Sequence, residues 1–258
     1  MLAASRPRRR LRRRAALTAT ALCTAALALG ATACGPLSGP EATGPFGNMT
    51  GAQISDKALA ATKGADSLTM DVNMRMSDGR VKAKVSTDRE GRCVGTIQVG
   101  GTGSADLIRT ADKAAYIRFD ERMIKGQVEG ESAEVQAAVL KELKGRWMKV
   151  DPKDPDMKDM LHLCGLHELL ADFETSSGAG TVKDAETTLD GKKALVLTQR
   201  EGGEKTTAYV ATEGTPYLLK IGVTGGKEPG TIGFSDFGKP VRVTAPAKKD
   251  MVDEKMLG

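Results

Sequence analysis

Aromatic residues are scarce: one Trp, three Tyr and five Phe in 258 positions. An interior built from this chain must use aliphatic side chains and methionine, with few large rings to plug the space between layers. Histidine is scarcer still, with His162 and His167 the only two. Nucleophilic hydrolysis needs a base beside its nucleophile, and no Gly-x-Ser-x-Gly elbow is present. Gly100-Gly101-Thr102-Gly103 has no Lys-Ser/Thr after it, so it is a hairpin turn rather than a phosphate loop. Asp154, Glu186 and Asp190 sit where caps, turns and solvated faces are expected. The sequence therefore presents no catalytic residue and implies no cofactor or metal.

Positive charge is abundant only at the start. Arg6, Arg8 to Arg10 and Arg12 to Arg14 precede an uncharged stretch rich in Ala and Leu, which ends in Ala31-Thr32-Ala33-Cys34-Gly35. This is the form of a bacterial lipoprotein signal peptide (1–33), cleaved before a lipidated Cys34. An ordinary secretory signal or an uncleaved anchor are the alternatives. Of the 38 basic residues seven lie in this segment, so the remainder has 31 against 33 acidic residues and the net charge of +5 becomes −2. No basic surface is left to suggest nucleic acid. Residues 34–50, rich in Gly and Pro, read as a flexible tether to the membrane.

Of four cysteines, Cys23 leaves with the signal and Cys34 carries lipid, leaving Cys93 and Cys164. In an exported domain these two are most simply a disulfide. Met157, Met160, Leu161 and Cys164 share one helical face, which would turn Cys164 towards the sheet. The rival is a metal site from His162, Cys164 and His167. Positions five apart on a helix diverge by about 140°, a poor arrangement for paired ligands.

The stretch SLTMDVNMRMSDGRVKAKV (67–85) alternates strictly. Leu68, Met70, Val72, Met74, Met76, Val81, Ala83 and Val85 fall on one side of an expected hairpin turning at Asp78-Gly79. Before it, Thr50 and Gln53 form a capping box for a helix with Ile54, Ala58, Leu59 and Ala61 on one face. Strands are expected at 92–99, 105–110, 114–119, 145–150, 181–188, 193–199, 206–211, 216–224 and 231–237. Tyr217, Leu219, Ile221 and Val223 are placed on one face. Helices are expected at 132–143, with Val135, Val139 and Leu143 as stripe, and from Asp154-Pro155 onward. The fold class is α+β, an antiparallel sheet covered on one face by helices, over 51–246, with 247–258 a loose polar tail.

Three segments carry a resemblance. FSDFGKPVRVTAP (234–246), GRWMKV (145–150), and the Cys93 run CVGTIQVGGTGSADLIRTADKAAYIRFD taken with CGLHEL resemble actinobacterial lipoproteins of the LppX/LprG type. The cysteine pair resembles a branch common in Streptomyces-like genomes. The resemblance implies a LolA-like half-barrel, a strongly curved antiparallel sheet with an apolar cavity against its helices. It further implies a lipid or other acylated hydrophobic ligand, and anchoring on the outer face of the cytoplasmic membrane. The methionine-bearing face of 67–85 would line such a cavity, since methionine adapts to acyl chains of varied shape. An envelope protein partner is the alternative role, and oligomeric state is left open.

Overall fold

The computed structural model describes residues 44–77, 79–165, 170 and 180–253. The expected signal peptide, Cys34, the first part of the tether, Asp78, His167 and the end of the tail lie outside them.

The first helix, α1 (Gly51–Lys63), begins where the capping box placed it. The Gln53 amide donates to Thr50 Oγ1 at 3.2 Å, and the Thr50 amide donates to Gln53 Oε1 at 2.8 Å. Met49 and Ile54 occupy the staple positions on either side of that cap and share one apolar cluster, which also buries Phe46. The expected tether therefore stops short of Phe46. Burial on α1 falls on Ile54, Ala58 and Thr62 rather than on Ala61.

Among the described residues, eleven strands form one antiparallel sheet: β1 (Ser67–Met76), β2 (Gly79–Asp88), β3 (Cys93–Val99), β4 (Gly103–Arg109), β5 (Ala115–Phe119), β6 (Met148–Val150), β7 (Val182–Leu189), β8 (Lys192–Glu201), β9 (Glu204–Ala211), β10 (Leu218–Thr224) and β11 (Gly230–Ser235). Their order is β6-β5-β4-β3-β2-β1-β11-β10-β9-β8-β7. Two sequential meanders thus meet at β1 and β11, and the sheet is not closed. The β1–β2 register pairs Met70 with Val85, Val72 with Ala83 and Met74 with Val81, the alternation read from the sequence. Gly79 already pairs with Met76, so β2 begins at the glycine itself. Between β7 and β8, Asp190 and Gly191 have φ of 50° and 78°, the two left-handed residues a type I′ turn requires.

One face of the sheet packs against helices. Under α1 the cluster contains Leu68, Met70, Leu197, Val210, Leu218, Ile221 and Phe234. Under α4 (Pro155–His162) it contains Val85, Ile97, Leu107, Ile117 and Leu161. The helix ends at His162, so Cys164 lies in the turn that follows and not on the helix; its amide donates to the Leu161 carbonyl at 3.0 Å. The Cys93–Cys164 disulfide is present, with Cα atoms 5.3 Å apart. Thr87 Oγ1 donates to the Cys164 carbonyl at 2.7 Å, a second tie between this turn and the sheet.

Other expectations are corrected. β10 carries a register shift between Leu218 and Lys220. Leu218, Ile221 and Val223 therefore face the helices, while Leu219 joins Ala194, Ala211 and Phe237 in a small core on the opposite face. Tyr217 stacks on Phe237 at 4.0 Å between ring centroids. The reverse face is thus not wholly solvated. A short helix absent from the sequence reading, α2 (Glu121–Gln127), is capped by Asp120 and buries Ile124. In α3 (Ala133–Leu143) the helix is where the period put it, but its stripe is not buried: Val135 is 43% exposed. The supposed loose tail is docked as far as Val252, which is buried. Trp147 N–H donates to the Asp250 carbonyl at 2.8 Å, and Val252 N–H to the Trp147 carbonyl at 2.9 Å.

Candidate functional site

A cavity of about 240 Å³ opens between α1 and the strands β8, β9 and β10. Its walls are Leu59, Leu197, Ala208, Leu218, Ile221 and Val223; Ser55, Thr181, Thr198, Gln199, Glu204 and Thr206 supply the polar groups. Inward alternation explains the wall. On paired strands Leu197 faces Ala208 and Ala208 faces Ile221, an apolar row, while the next row sets Gln199 and Thr206 beside Val223.

Two contacts hold α1 above this space. Thr62 Oγ1 donates to the Ala58 carbonyl at 2.8 Å and accepts the Leu218 amide at 2.9 Å. The register shift in β10 frees that amide from the ladder, so the helix satisfies what the bulge leaves unpaired. At its other end Gly51 abuts Thr181, whose carbonyl oxygen would lie 2.3 Å from any Cβ there. Only glycine lets α1 come this close to the start of β7.

The eight residues expected to line a cavity are on one strand face but in unlike surroundings. Leu68, Met70, Ala83 and Val85 are buried in the packed clusters. Val72, Met74 and Val81 are half-buried nearer the β1–β2 turn, and Met76 is 37% exposed. None of the eight lines the cavity under α1. The wall residues were legible in part: Leu59, Ile221 and Val223 stood on recognised apolar faces, whereas Leu218 required knowledge of the bulge.

His162 is exposed, and among the described residues no group of three His, Cys, Asp or Glu side chains could hold a metal ion. No described helix is long and apolar enough to cross a membrane. Near the disulfide, the register sets Arg109 opposite Cys93, a cation beside the bridge that sequence spacing did not reveal.

An open antiparallel sheet with helices against one face defines an α+β half-barrel of the LolA-like type. Among solved structures, LprF from Mycobacterium bovis has this fold, with a TM-score of 0.51 and 17% identity over 76% of this chain and 97% of that one. The Mycobacterium tuberculosis lipoprotein LppX aligns at a TM-score of 0.48 and 14% identity, over 75% and 98% of the two chains. No family model and no curated protein matches the sequence. The likeness to LprF establishes the shared fold.

Proposed function

We propose that this chain is a membrane-anchored, non-enzymatic lipoprotein that binds or carries an acylated hydrophobic molecule in the cell envelope. The observation that carries the reading is the cavity beneath α1, whose walls combine six apolar side chains with polar groups. Ligand pockets span about 300–1,000 Å³, so this one suits part of a ligand, such as a single acyl chain with its polar end at Ser55, Gln199 and Glu204. The half-buried Val72, Met74 and Val81 extend the apolar face beyond it. Lipid on Cys34 would supply the anchor. Two acyl chains hold a protein stably at a bilayer, since each buried methylene contributes about 0.8 kcal/mol.

Native mass spectrometry of the purified protein should find co-purified lipid, and a fluorescent fatty-acyl probe should bind. Ala208→Trp, which fills the cavity, should abolish probe binding while thermal unfolding stays cooperative. Unaltered affinity in that variant would place the ligand elsewhere. The second reading, an accessory lipoprotein acting through an envelope protein partner, draws on α3, a helix with no buried residue. Absence of any bound lipid or probe would favour it.

A further inference from the structure

Arg109 is the last residue of β4, opposite Cys93 on β3 and Ala115 on β5. Alternation puts it on the side of Ala105 and Leu107, both buried in the helix-covered cluster. Both cross-strand neighbours are fully buried. Along the paired registers of β1 to β6, Arg109 is the one charged residue at an inward-facing position. It lies on the opposite half of the sheet from the cavity under α1.

The Arg109 Nε is buried and has no hydrogen-bond partner among the described residues, while the residue as a whole is only half-buried. A buried donor ordinarily meets an acceptor from protein, water or an ion. In the adjoining β2–β3 turn both carboxylates are engaged within the turn. Asp88 accepts from Arg92 Nε at 2.6 Å and from the amides of Glu90 and Arg92 at 3.0 and 2.9 Å, and Glu90 pairs with Arg92 at 3.2 Å. Gly91, at φ 78°, has no side chain to cover the guanidinium; a Cβ there would lie 3.9 Å from Cζ.

We infer that Arg109 is the receiving group of an oxyanion site between β4 and the β2–β3 turn, taking a carboxylate or phosphate. A guanidinium fork matches both in bidentate geometry. The oxyanion comes either as free phosphate or as an acidic head group, and the two sources share this chemistry.

The experiment follows thermal unfolding and titration calorimetry of the purified protein with sodium phosphate, with dodecyl phosphate below its micelle concentration, and with neutral dodecyl maltoside, all at matched ionic strength. Wild type should be stabilised by an anion and not by the neutral amphiphile. A response to both phosphates identifies a free-anion site, and a response to dodecyl phosphate alone identifies a head-group site. Arg109→Met should weaken the anion at least about tenfold, with Arg109→Lys between. Equal anion responses in wild type and Arg109→Met, or no anion-selective response in wild type, would overturn the site. Absence of an anion-selective response in wild type overturns the site even if the Met variant does not fold, and Ala208→Trp, which closes the α1 cavity, must leave the anion response in place; its loss there would assign the anion to that cavity and overturn the site.

Discussion

Met70 and Met76 share a strand face and differ in everything that follows from burial. Met70 is 2% exposed amid Leu68, Leu218 and Phe234, whereas Met76 is 37% exposed beside the turn. Met70→Ala should therefore cost about 2–5 kcal/mol of stability, and Met76→Ala less than about 0.5 kcal/mol. Urea unfolding of the two variants checks this, and comparable losses would contradict the burial. Thr62 acts through its oxygen. Thr62→Val keeps the shape, strands the Leu218 amide without an acceptor, and should cost about 1–3 kcal/mol by the same measurement. That residue also explains a misreading. TPYLLKIGV alternates cleanly as written, so the sequence placed Tyr217, Leu219, Ile221 and Val223 together. The Leu218 amide beside the bulge is satisfied by a hydroxyl on a helix 156 positions away, which no local pattern reveals.

Elements were legible where local chemistry alone decides them. The β1–β2 hairpin followed from strict alternation and α1 from its capping box. By contrast α2 is only seven residues long, too short to show a period, and α3 has an amphipathic stripe that packing does not use. The Cys93–Cys164 bridge ties the turn after α4 to β3 across a sequence separation of 71. Removing it by Cys93→Ser with Cys164→Ser should cost about 4 kcal/mol in the chain-entropy picture, read as a lowered urea midpoint against the oxidised wild type. Between α2 and α3 the tie is electrostatic. Glu121 meets Lys125 at 2.7 Å and Lys144 at 2.6 Å, and hydrogen bonds from these lysines pull its pKa from 4.5 to about 2. A depressed carboxylate adds stability above its ordinary pKa, and that contribution is lost as pH falls from 4.5 towards 2. Carbon-detected NMR titration of Glu121 should show the low value, moving upward in high salt because the group is exposed.

At the scale of the molecule, the lipoprotein reading rests on Ala33-Cys34. Cys34→Ala should leave the precursor uncleaved or release the protein from the membrane fraction; fractionation with an anti-tag blot distinguishes these from wild-type behaviour, which would refute lipidation. The order of the sheet has a different bearing. Every neighbouring pair of strands is consecutive in sequence except β1 and β11. Each meander can zip up locally as the chain emerges, but one long loop closure must join them. Synthesis runs from the N-terminus, so β1 emerges early and its mate among the last. Throughout that interval the free edge of β1 is a template for another chain's strand. The exposed Asp71 and Arg75 on that strand put charge along the waiting edge, a guard against mispairing whose value ends once β11 arrives.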